Sequence, residues 1–196
     1  EKSAHPLRVN RCTPIFAVSN FMELVNNTYR IQDLDVAEIC NQFGTPLYVY
    51  DAEKIIHQLR SIKSAFSDTD VKVKYAAKAL TNISILKLLK KYGSGVDVVS
   101  IQEAHLALGA GFAPGEIMFT PNCVDFDEII EGVELGLNIN LDNLSVLEKF
   151  GQKYGNTCPC CVRLNPHIMA GGNYKISTGH SNSKFGISVY QLPQIM

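Results

Sequence analysis

The sequence predicts an α/β fold, an incomplete (β/α)8 barrel of TIM type, and three observations predict it. Short apolar strand-like runs alternate with amphipathic helical runs from about residue 46 onward. The links between them are short, as parallel βα units require. The strands are many and brief, which favours a barrel over an open sheet. A flavodoxin-like open sheet is the alternative architecture.

Each element follows from local pattern. "PLYVY" (46–50) reads as a strand, and "DAEKIIHQLRSIKSAF" (51–66) as a helix capped by Asp51. Its apolar face carries Ile55, Ile56, Leu59 and Ile62. "VKVKYAA" (71–77) is a strand. "NISILKLLKKYG" (82–93) is a helix with Leu86, Leu88 and Leu89 inward, basic residues in its last turns and Gly93 as its stop. "GVDVVS" (95–100) is a strand, followed by the helix "IQEAHLALGAG" (101–111), which Ser100 caps. "IMFT" (117–120) and "LNINLD" (137–142) are strands, followed by helices over 125–136 and 143–155. "CCVRLNP" (160–166) is a further strand. The polar stretch 167–186 then breaks the alternation, and a long loop after a barrel strand belongs at the catalytic mouth. About six of the eight barrel strands are counted if 46–50 is one of them. The chain is therefore expected to be a fragment. Residues 1–21 read as a leader or an expression-derived segment, with Met22 as the natural start.

Composition excludes several classes. The chain is 46% hydrophobic and 19% charged, with net charge −1. That balance gives no electrostatic case for nucleic acid or a membrane surface, and no apolar run is long enough to span a bilayer. Cys12, Cys40, Cys123, Cys158, Cys160 and Cys161 fit reduced thiols in a reducing cytosol better than a disulfide scaffold. The "CPCC" cluster lacks the spaced pairs of a closed zinc site. It also enters a strand, where alternate cysteines point to opposite faces, so no metal site is expected. "GAGFAPGE" (109–116) imitates a dinucleotide fingerprint but follows a helix.

Four residues could carry chemistry. Lys78 stands where an apolar strand ends, beside Ala76 and Ala77. Position alone leaves two readings open: a solvated strand-end lysine, or a desolvated nucleophile at the catalytic end of a barrel strand. Alternation puts Lys74 on the same face, deeper in, where it needs an acidic partner or a bulge. Asp97 lies between valines and needs a cation or hydrogen-bond donors. Glu103 sits in the first turn of a helix, where the macrodipole alone would favour it. Arg163 sits mid-strand between Val162 and Leu164, which calls for an anionic partner. His57 and His105 read as surface helix residues, and His180 as a loop residue.

"KYAAKAL", "GSGVDVVSIQEAHLALGAGF", "VRLNP" and "KISTGHSNSKFGIS" occur in that order. Together they resemble the N-terminal part of the diaminopimelate decarboxylases, of the alanine-racemase-like fold group of pyridoxal-phosphate enzymes. The likeness covers about residues 23–190. It implies that Lys78 holds pyridoxal 5'-phosphate as an internal aldimine. It implies that Asp97 and Arg163 bind the cofactor, and that Glu103 supports them from behind. Lys184, in the matching "SKFG" loop, receives no role. The implied reaction is decarboxylation of meso-2,6-diaminoheptanedioate to L-lysine, by a cytoplasmic homodimer. The resemblance further implies that residues 22–45 pack with a C-terminal β domain absent from this chain. Residues 46–196 would then be the first part of the cofactor-binding barrel, inactive alone. The alternatives are another decarboxylase or racemase of this fold, of the ornithine/arginine type, or a non-catalytic cofactor-binding regulator.

Overall fold

The computed structural model describes residues 22–170 and 176–195. The expected leader, Cys12 and part of the polar loop therefore lie outside the described residues. The chain divides into two compact units, one ending at Ala65 and the other starting at Phe66.

The first unit opens with a small antiparallel sheet: β1 (Glu23–Val25), β2 (Thr28–Ile31) and β3 (Leu34–Asp35). Val25 pairs with Thr28, so the link is the two-residue turn Asn26–Asn27, both at positive φ. Asparagine tolerates that conformation, and such turns match the twist of a hairpin. Asp35 then caps helix α1 (Val36–Phe43), accepting from the amides of Ala37 and Glu38. The sequence reading assigned none of these elements. Helix α2 (Ala52–Ala65) starts where expected. Asp51, buried, accepts from the amides of Glu53 and Lys54 and, at 2.6 Å, from the Gln32 side chain. Ile56 and Leu59 are buried, but Ile62 is 48% exposed and does not join their face. Residues 46–50 are not a strand: they enter no ladder, and Leu47, Tyr48 and Tyr50 are exposed. The β-favouring residues are present there, but no neighbouring strand pairs with them.

The second unit is a parallel sheet backed by helices. Its strands are β4 (Lys74–Ala76), β5 (Gly95–Val98), β6 (Ile117–Phe119), β7 (Asn138–Leu141) and β8 (Cys160–Val162). They lie side by side in chain order, every pair parallel. The order runs one way with no reversal, which is how a barrel wall winds. A flavodoxin-like sheet reverses at a switch point, so the alternative architecture is excluded. Four helices connect or flank the strands: α3 (Ile83–Lys91), α4 (Ile101–Gly109), α5 (Phe126–Glu134) and α6 (Leu144–Tyr154). Asn82, Ser100 and Asn143 cap three of them through their side-chain oxygens. Val96, Val98, Ile117, Phe119, Ile139 and Leu141 form the helix-facing side of the sheet, each no more than 1% exposed. Packing is close there. A Cβ on Gly132 of α5 would come within 2.8 Å of the Phe119 ring.

Two expected strands change at their ends. Residues 71–73 stay outside β4 because the partner strand starts only at Gly95, which pairs with Lys74. After Ala76 the chain turns into a 3-10 helix, Ala77–Ala79, closed by the Leu80 amide on the Ala77 carbonyl. The expected strand 160–166 breaks at Arg163. Its second piece, β9 (Leu164–Asn165), pairs in parallel with β10 (Ile187–Ser188) in a separate ladder. A short helix α7 (Leu192–Ile195) follows. Gly186 permits this second ladder: its φ is +82°, and a Cβ would lie 2.8 Å from the Asn165 amide nitrogen.

Candidate active site

The face of the sheet away from the helices is polar. Register puts Ala76 beside Asp97 and Asp97 beside Met118, with Asn138 next in line. One step further along the strands come Thr120 and Asn140, then Cys161. Of these, Ala76, Asp97, Thr120 and Asn140 lie toward the carboxyl ends of their strands, where a barrel of this type keeps its chemistry.

Lys78 is exposed in the 3-10 turn that follows β4, so it does not continue the strand alternation with Lys74 and Ala76 as expected. Its side chain makes no hydrogen bond or ion pair with any described residue. Ala77 and Ala79 flank it, and the buried Ala77 anchors the turn in the core. The Tyr75 hydroxyl, donating to the Leu80 carbonyl at 3.2 Å, fixes the turn from the other side.

Asp97 is half-buried on β5, and its Oδ1 accepts from the Thr120 hydroxyl at 2.6 Å. The hydrogen-bond donor that its position demanded is thus a threonine of the next strand. Sequence reading missed this partner, and also Asn140, whose amide donates to the Thr120 oxygen at 3.3 Å. A signal existed in "NINL", where asparagines alternate with apolar residues at strand spacing. Beyond them, the Asn122 amide donates to Asp142 at 2.6 Å.

Glu103 does more than face a helix dipole. Its amide donates to Ser100 Oγ at 3.2 Å, and its carboxylate accepts from the Val99 amide at 2.9 Å. These two bonds fix the turn from β5 into α4, two residues after Asp97. Arg163 occupies the break between β8 and β9. Its amide donates to the Leu141 carbonyl, and its own carbonyl accepts from Ile187. Its guanidinium lies over the Phe185 ring, 4.7 Å from the centroid, where an anionic partner had been expected. Lys184 stacks on the same ring at 5.2 Å.

Among the described residues, Lys74 meets neither a bulge nor a bonded acid. It pairs regularly with Gly95, and its ammonium donates to the Glu116 main-chain carbonyl at 2.8 Å. Gly95 makes that reach possible, since a Cβ there would meet the Glu116 oxygen at 2.8 Å and Lys74 Cγ at 3.0 Å. Burial lowers the Lys74 pKa, and the Asp97 charge opposes the shift. The cysteines divide as strand alternation requires. Cys160 packs against the core, where burial raises its thiol pKa, and Cys161 is exposed on the opposite face. His105 sits on the surface, 2.7 Å from Glu131. His57 is exposed, and the His180 carbonyl accepts from the buried Asn165.

Residues 52–196 match the family model described as "Pyridoxal-dependent decarboxylase, pyridoxal binding domain". The chain belongs to this family. Among curated decarboxylases, the diaminopimelate decarboxylase of Methanothermobacter thermautotrophicus is 36% identical over 163 residues, covering 82% of this chain and 38% of that protein. That of Haemophilus influenzae is 31% identical over 180 residues, covering 90% of this chain and 43% of that protein. The diaminopimelate decarboxylase of M. jannaschii, solved in co-complex with L-lysine, superposes with a TM-score of 0.76 at 33% identity. The match covers 87% of this chain and 42% of that one. The chain thus spans about two fifths of the length of these relatives, with the fold of the first part of the decarboxylase barrel. Among the described residues, no helix is long and apolar enough to cross a membrane.

The donor set fits pyridoxal phosphate. An exposed primary amine without a partner among the described residues stands just past a strand end, between Ala77 and Ala79. A carboxylate with one oxygen already satisfied occupies the next strand.

Proposed function

We propose that the protein acts in the decarboxylation of meso-2,6-diaminoheptanedioate to L-lysine, with pyridoxal 5'-phosphate held covalently through Lys78 Nζ. The observation that carries this reading is Lys78 itself: exposed, unpaired among the described residues, and at the carboxyl end of the first strand of the polar wall. When bound, pyridoxal phosphate supplies an electron-poor ring that accepts the electron pair left by departing carbon dioxide. The chain's own residues bind and orient. Asp97, tied to Thr120, presents a fixed negative charge beside the lysine's strand. Arg163 offers a cation at the end of the fifth strand of the wall, its plane steadied by Phe185. Glu103 keeps the turn after Asp97 closed. A homodimer in the cytoplasm, with residues 22–45 packed on a C-terminal β domain, completes the proposal. Support for the substrate comes from the "ISTG…SKFG" loop and from relatives of this activity at 31–36% identity.

Lys78→Ala in the full-length protein tests this. Turnover of the diamino acid should fall by at least about a thousandfold, since the covalent tether is lost. The melting temperature should hold, because the side chain is exposed. Unchanged turnover would defeat the assignment.

A further inference from the structure

The geometry points to Thr120 and Asn140 as a positioning relay that sets the orientation of the Asp97 carboxylate. The relay rests on the reading above, in which Asp97 faces the cofactor.

Three groups on three successive strands make two hydrogen bonds: Asn140 Nδ2 to Thr120 Oγ1 at 3.3 Å, and Thr120 Oγ1 to Asp97 Oδ1 at 2.6 Å. Their chemistry fixes the direction. An ionised carboxylate only accepts, so the single hydroxyl proton of Thr120 goes to Asp97. The hydroxyl oxygen can still accept, and among the described residues the amide nitrogen of Asn140 donates to it. An Asn140 turned the other way would set two acceptors against each other. The chain of donors therefore has one sense, and each bond strengthens the next.

The backbone holds the relay as firmly as the side chains do. The Thr120 amide donates to the Val98 carbonyl at 2.8 Å, extending the β5–β6 ladder one residue past β6. Asn140 lies within β7, between the buried Ile139 and Leu141. With Oδ1 committed to Thr120, the Asp97 carboxylate loses free rotation, and its second oxygen is the one left to face a ligand. A bond from a hydroxyl to a carboxylate is of the stronger, charge-assisted kind.

The test uses full-length apoprotein titrated with pyridoxal phosphate, reading the dissociation constant and the absorption maximum of the bound cofactor. Thr120→Val keeps the shape and removes the proton. It should weaken cofactor binding by about tenfold or more and shift the absorption maximum. Thr120→Ser restores the hydroxyl and should restore both readouts. Asn140→Leu should give a smaller change in the same direction, and it decides the matter if Thr120→Val does not fold. If Thr120→Val and Asn140→Leu bind like wild type while Asp97→Asn loses affinity, the relay is overturned and the proposed function stands. A lowered melting temperature for Thr120→Val with both cofactor readouts unchanged also overturns it. If Lys78→Ala and Asp97→Asn both bind as wild type does, the underlying reading fails and the relay with it.

Discussion

The two faces of one sheet divide the labour in this protein. Toward the helices, Val96, Val98, Ile117, Phe119, Ile139 and Leu141 are sealed from water. Toward the other side, the residues between them are Asp97, Met118, Asn138 and Asn140, all half-buried and mostly polar. The same three- and four-residue strands supply both sets. On the first face contact area is what stabilises, at about 25 cal/mol per Å² removed from water. On the second, Asp97 and Asn140 meet through Thr120 and Asn138 donates to the Gly115 and Ile117 carbonyls, so orientation is what matters. Apolar packing and side-chain hydrogen bonding are thus separated by a single residue step along each strand, and neighbouring substitutions should have unlike consequences.

The sharpest way to break that comparison is at adjacent positions of β6. Phe119→Ala should cost about 3–5 kcal/mol in urea unfolding, because it leaves a cavity against α5. Met118→Ala, on the half-buried face, should cost about 1 kcal/mol. Equal costs would mean that both faces are core. A smaller effect probes the seam beneath the polar face. Gly95→Ala should destabilise by about 1–3 kcal/mol, since the new methyl meets the Glu116 carbonyl and displaces Lys74. A neutral result would show that the Lys74 reach is dispensable.

The smallest effect concerns the rim. Glu116 accepts from Lys90 and from the Ala113 amide, and the Lys90 hydrogen bond is the main cause holding its carboxyl below the usual range. A lowered folded pKa adds stability above the unfolded value of about 4.3, which is lost as pH falls through the folded value. The pair is partly exposed, so Glu116→Gln should cost under about 1 kcal/mol at pH 7. That cost should shrink as pH falls through the folded value, as urea midpoints followed from pH 7 into acid would show.

Much of this was legible in the sequence, and the pattern of misses has a physical cause. Alternating apolar residues and side-chain caps are local signals, so the helices opening after Asn82, Ser100 and Asn143 begin where expected. Pairing is not local. Residues 46–50 carry strand-like side chains, yet no ladder forms there. β4 begins late because its partner does. Arg163 marks the point where one ladder ends and another starts, which depends on Gly186 twenty-three residues later. Lys78 was singled out by its setting and by resemblance, but the 3-10 turn that carries it was not foreseen. Asp97 was known to need a donor, and only the order of β5, β6 and β7 side by side shows that Thr120 provides it, with Asn140 donating in turn to Thr120.

The most direct measurement of the central claim is to load the full-length protein with pyridoxal phosphate, reduce it with borohydride, and map the modified peptide by mass spectrometry. The account predicts the cofactor mass on Lys78. Modification of Lys74 or of another lysine, with Lys78 untouched, would contradict it.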